Sequence, residues 1–222
     1  MTRIRERIVK YKGKNIVVSF IVDRCTHVAA CLRGAPKVFN TRRQPWVDPD
    51  AAPPDRVAEV VLRCPTGALH FQRLDEGPEE SVPEKNTVIL NEDGPLYLRG
   101  NVEIRSKDGD VLLTDTRIAL CRCGFSRHKP FCDNFHIMNA FTDPGKISSK
   151  KSTGSSQELG SGKLQVVLQP NGPLILSGPF TIQQANGKTG LKGTHAALCR
   201  CGTSANKPFC DGSHSKIGFS TE

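Results

Sequence analysis

The chain has 222 residues, of which 37% are hydrophobic, 6% are aromatic and nine are cysteines. That length supports more than one small core, and an odd cysteine number excludes complete disulfide pairing. The formal net charge of +9 is uneven, with 14 Lys and Arg against 6 Asp and Glu in residues 1–74 and 17 against 16 in residues 75–222.

The basic bias lies in a region without a basic helix face or a stacking aromatic pair. It therefore suits an ordinary solvated face, or docking to an acidic redox partner, and not nucleic-acid binding. No apolar leader follows the first basic residues. The longest apolar run, Ile16 to Val22, is far too short to span a bilayer. The expectation is a cytoplasmic protein, with no membrane segment and with reduced thiols free to act as ligands.

In chain order, residues 1–74 form a first unit. Lys14 to Val22 reads as a strand, Thr26 to Leu32 as a helical segment and Val38-Phe39 as a short strand. Val57, Val60 and Val61 give Pro54 to Arg63 one apolar helical face, and Cys64 to Phe71 reads as a turn into a strand. Residues 75–87, acidic and proline-bearing, read as a linker.

Two repeats follow, 88–141 and 164–222, separated by a Ser-, Gly- and Lys-rich connector at 142–163. Asp93 to Gly100 (DGPLYLRG) matches Asn171 to Gly178 (NGPLILSG), and Thr116, Ala119 and Leu120 match Thr194, Ala197 and Leu198, all at an offset of 78 residues. This is an internal duplication of one supersecondary unit. Leu96, Leu98, Val102 and Ile104 alternate as a half-buried strand pair requires, and Lys107 to Asp110 and Asn186 to Lys188 read as turns.

Each repeat ends in the same dense string. The first runs Cys121, Cys123, Ser126, Pro130, Phe131, Cys132, Asp133, His136, and the second Cys199, Cys201, Ser204, Pro208, Phe209, Cys210, Asp211, His214. Six cysteines and two histidines are thus placed as two sets of three sulfurs and one imidazole. The spacing puts them on a loop entering a short helix, with Asp133 and Asp211 at the N-cap positions. Such a set suits structural zinc or an iron–sulfur cluster. The C-x-C pair with eight residues before the third cysteine is less typical of zinc.

The string C-x-C-x2-S-x3-P-x-C-D-x2-H resembles the signature of the CDGSH iron–sulfur, or NEET, family. The resemblance implies two [2Fe–2S] clusters, one on Cys121, Cys123, Cys132 and His136 and one on Cys199, Cys201, Cys210 and His214. The second copy keeps the family string Cys-Asp-Gly-Ser-His, whereas the first has Asn134 for Gly and Phe135 for Ser. Ser126 and Ser204 are candidates to hydrogen-bond the loop or a cluster sulfur. Arg122 and Arg200 either screen cluster charge or are ordinary exposed arginines. Because both motifs lie in one chain, it resembles the two-motif branch. A monomer is expected, in which the repeats make a pseudo-twofold pair.

Cys25-Thr26-His27, Cys31, Pro45-Trp46 and Cys64-Pro65-Thr66-Gly67-Ala68-Leu69 resemble a divergent single-cluster ferredoxin-like domain. Four cysteines ordinarily hold such a cluster, and only three are present. The reading favoured here is a retained fold without a third cluster, its cysteines buried as small hydrophobes. The other is a cluster completed by His27 or an outside ligand.

The fold expected is α+β, with β-rich tandem CDGSH repeats and a small ferredoxin-like N-terminal domain. The function expected is electron transfer, cluster transfer or both, with acid-labile histidine ligation and with a redox protein or an apo-acceptor as partner. The alternative is a zinc-stabilised Cys3His interaction module without redox activity. No phosphate-binding glycine loop or catalytic triad marks an enzyme.

Overall fold

The structure, a computed structural model, describes residues 4–147 and 159–221. It forms two compact units, one of residues 5–82 and one of residues 83–221 joined by Ile4. The architecture is mixed, with several strands and few helices. Among the described residues no helix is long and apolar enough to cross a membrane.

In the 5–82 unit, β1 (Ile8–Lys12), β2 (Ile16–Ile21) and β3 (Leu69–Arg73) make an antiparallel sheet in the order β1-β2-β3. Alternation along β2 buries Ile16 and Val18. They pack with Val57, Val60 and Val61 of helix α2 (Pro54–Leu62) and with Phe39 and Leu69. A proline opens α2 where its missing N–H costs no bond, and Asp55 lies in the first turn beside the helix dipole.

Several local expectations change. The helix expected at Thr26–Leu32 is instead α1 (Ala30–Gly34), because His27 at φ 52° and Ala29 at φ 60° are left-handed and cannot extend a right-handed ladder. Val38 lies in a turn, and Phe39 makes only an isolated bridge to Val47. Strand β1 gave no sequence signal, since four of its five residues are exposed. The acidic stretch expected as linker is fastened to β3. Asp75 pairs with Arg73, and Glu80 accepts from the Phe71 N–H and lies 3.1 Å from His70 Nδ1.

The 83–221 unit carries the duplication. Its first half has β4 (Thr87–Leu90), β5 (Leu96–Arg105), β6 (Val111–Leu120) and α3 (Phe135–Met138). Its second has β7 (Leu164–Leu168), β8 (Leu174–Gln183), β9 (Thr189–Leu198) and α4 (Ser213–Lys216). The long strands β5 and β8 each pair with three neighbours. Arg99 to Leu96 of β5 pair antiparallel with β4, and Val102 to Arg105 pair parallel with β7. Reciprocally, β8 pairs antiparallel with β7 and parallel with β4. The path β4-β5-β7-β8 returns to β4, so the strands close on one another, and β6 and β9 line the outer edges of β5 and β8. Leu96, Leu98, Val102 and Ile104, with Leu174, Leu176, Phe180 and Ile182, fill the shared core.

The packed part of the first repeat runs past its expected end. Asp143 N–H donates to Asp93 Oδ1 at 2.6 Å, and Ile147 is buried in the core and donates its N–H to Gln184 Oε1. The start of the expected connector, 142–147, is therefore packed structure. Its Ser-rich part from Ser148 to Ser156 lies outside the described residues.

Asn86, 4% exposed, pins the closure. Its Nδ2 donates to the carbonyls of Gly162 and Pro179, both at 2.8 Å, and its Oδ1 accepts from Asn101 N–H at 2.8 Å. Asn86→Ala strands buried polar groups from both halves and is expected to destabilise the unit by about 2–4 kcal/mol. Denaturant unfolding of mutant and parent checks this, and Asn101→Ala, which leaves the backbone N–H in place, should cost much less.

Candidate metal centre

The ligand string follows directly from the end of an outer strand. After β6, the chain leaves at Cys121, makes a loop and returns so that Cys121 N–H donates to Pro130 O at 2.8 Å and Cys132 N–H to Ala119 O at 3.0 Å. The second motif repeats this, with Cys199 N–H to Pro208 O and Cys210 N–H to Ala197 O, both at 2.8 Å. This back-pairing carries the third cysteine alongside the first two, though it is separated from Cys123 and Cys201 by eight residues of sequence.

Ser126 and Ser204 hold the loop and do not reach a sulfur through the hydroxyl. Ser126 Oγ donates to Phe131 O at 2.6 Å and accepts from His128 N–H, and Ser204 Oγ donates to Phe209 O at 2.7 Å and accepts from Asn206 N–H. Their backbone N–H groups favour the thiolates of Cys121 and Cys199.

The expected caps shift by one residue. The N-caps are Asn134 at φ 69° and Gly212 at φ 86°, so Asn takes the left-handed conformation that Gly supplies in the other copy. Asp133 and Asp211 sit one position earlier. Asp133 accepts the helix N–H of Phe135 at 3.2 Å and the loop N–H of Arg127 at 2.8 Å, and Asp211 accepts those of Ser213 at 3.0 Å and Ala205 at 2.8 Å. The Ser213 hydroxyl, with these backbone N–H groups, holds the Asp211 carboxyl well below the usual range.

The ligand candidates come together as two pairs in each motif. Cys121 and Cys123 Sγ are 3.6 Å apart, and Cys132 Sγ is 3.4 Å from His136 Nδ1. In the second motif the same separations are 3.7 Å for Cys199 and Cys201 and 3.3 Å for Cys210 and His214 Nδ1. Backbone N–H groups of Phe125 and Asn134 donate to Cys123 and Cys132, and Gly212 N–H donates to Cys210. Burial pushes the thiols of Cys132 and Cys199 up to about 12 and about 11. A bound metal replaces those protons and removes the penalty on the thiolate.

The two positions differ in exposure. Cys132 and His136 are buried, whereas Cys210 and His214 are only partly so. Burial holds the His136 imidazole below its ordinary value, with Asp133 acting the other way. Arg127 stacks its guanidinium 4.2 Å from the Phe135 ring, and Phe125, Ile137 and Met138 are exposed around the first motif. The second motif has Thr203, Ser215 and Lys216 at the corresponding positions.

Arg122 and Arg200 are not exposed, and their relative accessibilities are 2% and 3%. Arg122 donates to the carbonyls of Gly94 and Asn91 and to Asp143 Oδ1, and Arg200 donates to those of Gly172 and Gln169. Each therefore clamps the turn before its long strand while placing a buried positive charge between two cysteines. Burial pushes Arg200 down to about 10, and Cys121 of the other motif opposes that shift. Asp143 is a supporting residue that the motif did not flag, since it lies beyond the string and is replaced by Thr221 in the second copy. His128 and His195 are exposed and stand outside the two ligand sets.

Cys25, Cys31 and Cys64 of the other unit are each half-buried and outside any disulfide, and they line one cleft with His27. Cys31 and Cys64 pack against the hydrophobic core of this unit, and all three cysteines keep some exposure.

The two motif loops abut. Gly124 has φ +86°, and a Cβ there would lie 2.5 Å from the Cys201 carbonyl oxygen; Gly202, also at φ +86°, faces the Cys123 carbonyl in the same way. Gly202→Ala is therefore expected to cost about 2 kcal/mol or more and to lower metal content in both motifs. Thermal unfolding and metal analysis check it, and unchanged loading of the first motif would contradict the reciprocal contact.

Comparison with known proteins gives three findings. The family described as iron-binding zinc finger, CDGSH type, matches residues 93–137 and 171–215, and the divergent 4Fe–4S mono-cluster family matches residues 11–74. The chain is 40% identical to the uncharacterized protein YjdI of Escherichia coli K12 over 62 residues, 28% of this chain and 82% of that protein, and the O157:H7 protein of the same name matches equally. No solved structure matches the chain.

Proposed function

Since the chain carries two repeats of the CDGSH-type iron-binding family and a divergent 4Fe–4S mono-cluster domain ahead of them, we propose that it holds two [2Fe–2S] clusters and works in electron transfer, cluster transfer or both. The ligands are Cys121, Cys123, Cys132 and Nδ1 of His136 in one site, and Cys199, Cys201, Cys210 and Nδ1 of His214 in the other.

The observation that supports this reading is the pairing of the ligands. Two ligands on one tetrahedral metal, with bonds of about 2.3 Å, stand roughly 3.7 Å apart. The Cys–Cys separations of 3.6 and 3.7 Å and the Cys–His separations of 3.4 and 3.3 Å match that edge. Each motif thus offers two such edges, one for each iron. A single zinc ion instead requires all four ligands to converge, and among the described residues no group of three or more His, Cys, Asp or Glu side chains does so.

A cluster bound to three thiolates and one neutral imidazole supplies a one-electron couple at a higher potential than four thiolates give. The protein's part is to shield the sulfurs, donate backbone N–H groups to them and set Arg122 and Arg200 nearby as buried positive charges. His136 and His214 must present the Nδ1 lone pair. A proton on that atom removes the ligand, so release at mildly acidic pH is expected. The greater exposure of Cys210 and His214 favours the second site for cluster exchange.

The proposal extends to assembly and setting. The reciprocal pairing of β4 with β8 and β7 with β5 supports a pseudo-twofold relation of the repeats within one chain, hence a monomer. A redox protein or an apo-acceptor is the partner, the setting is cytoplasmic with no nucleic-acid or membrane partner, and the role is not enzymatic.

Iron, zinc and acid-labile sulfide content, measured with the visible spectrum, test the reading. A [2Fe–2S] spectrum is expected, and zinc without visible absorption, persisting after reconstitution with iron and sulfide, would overturn it. His214→Cys should make the second cluster markedly slower to leave at mildly acidic pH and lower its potential. Unchanged acid release from a fully loaded second site would contradict histidine ligation there.

A further inference from the structure

We propose that the 83–221 unit binds a small oxyanion, a carboxylate or a phosphate, on Arg200 and Lys129 in a cleft between its two halves. The cleft has a volume of about 350 Å³. Leu112, Lys129 and Pro130 line it from the first half, and Leu168, Arg200 and Thr221 from the second. Among the described residues no carboxylate lines it.

The two buried arginines differ in their counter-charges. Arg122 and Arg200 both clamp a turn through its carbonyls, and both lie between two motif cysteines. Arg122 also gives its Nη1 to Asp143 Oδ1, an ion pair at 2.5 Å. The first copy carries Glu92 and Asp93 in that turn and Asp143 beside it, whereas at the offset of 78 the second has Pro170, Asn171 and Thr221. The local backbone contact survives the exchange. Thr221 N–H donates to Asn171 Oδ1 at 2.9 Å, as Asp143 N–H donates to Asp93 Oδ1, so the second copy keeps the clamp and loses the negative charge. Arg200 is 3% exposed, it has no ion pair, and its Nη1 makes no hydrogen bond among the described residues. A buried guanidinium without an acceptor is costly, and an oxyanion that accepts from it offsets that cost.

Lys129 brings a second positive charge from the first motif loop. Its Nζ lies 5.9 Å from the centre of the Phe219 ring, and Arg200 Cζ lies 5.7 Å from the same centre, so one ring holds both cations at the cleft. The corresponding lysine of the second motif is occupied, since Lys207 Nζ donates to Ser204 O at 2.7 Å. Lys129 has no such bond among the described residues and keeps its donors for a ligand. A guanidinium edge and an ammonium together suit the oxygens of a carboxylate or a phosphate. Leu112, Pro130 and Leu168 form apolar walls, which screen such a pairing less than open water does. The site needs both halves of the unit and is independent of which metal the motifs hold.

The test is calorimetric titration of the full-length holoprotein, in a low-chloride buffer, with inorganic phosphate and separately with acetate. Saturable binding of at least one probe is expected, and the tighter of the two identifies the ligand as phosphate or carboxylate. Thr221→Asp puts a carboxylate where the first copy has Asp143. It should weaken binding about tenfold or more without lowering the unfolding temperature or the metal content. Lys129→Ala should weaken binding several-fold, and Lys207→Ala should leave it unchanged. No saturable binding of either probe, or an affinity that both Thr221→Asp and Lys129→Ala leave unaltered, would overturn the proposal.

Discussion

The hydrogen bonds that return each motif loop to the end of its own strand are the constraint on which the rest depends. Cys121 N–H to Pro130 O and Cys132 N–H to Ala119 O act as one more rung on an outer strand. Without that rung, the third cysteine and the histidine would travel with a long surface loop. With it, they are fixed to β6, β6 is fixed to β5, and β5 is shared with the other half through β7. A loop rich in thiols can then be rigid without metal, its Ser, Asp and Arg side chains occupied with backbone groups rather than with the sulfurs.

The parts legible in the sequence were those set by short-range pattern. The alternation of Leu96, Leu98, Val102 and Ile104 predicts a strand with one buried face, and their burial follows it. The cysteine spacing, together with the repeat, singles out the residues that the structure gathers into pairs. Less legible were features decided by distant partners. An arginine between two cysteines reads equally well as exposed, and it is the carbonyls of Gly94 and Asn91, some thirty residues upstream, and the Asp143 carboxylate that draw Arg122 inside. Nor does alternation say that β7 joins β5 and β4 joins β8, because parallel pairing of far segments leaves no local signature. The cap expected at Asp133 falls one residue later, since Asn134 takes the left-handed cap position and Asp133 reaches across it.

The 5–82 unit shows the same division. Its amphipathic helix α2 was legible because Val57, Val60 and Val61 share one face. Its cleft was not, because the helix expected from Thr26 onward forms only at Ala30–Gly34. Left-handed residues at positions 27 and 29 rearrange that segment into a rim. Local propensity opposes such a rim, and where sequence patterning and structure disagree in this way a site is the first explanation to examine.

Carrying both repeats in one chain separates two properties that a pair of identical subunits must keep equal. Stability is shared, because the strands close across both halves and the loops meet at Gly124 and Gly202. Surroundings are not, because each loop has its own residues outside the ligand positions. The first loop carries Asn134 and Phe135, with Arg127 stacked on the aromatic ring, and buries Cys132 and His136, whereas the second carries Gly212 and Ser213 and leaves Cys210 and His214 partly exposed. A substitution at Phe135 therefore alters one site's access to solvent while the common core stays intact. Duplication followed by such local change lets one fold offer a protected metal position and an accessible one, held in fixed relation by the same closed set of strands.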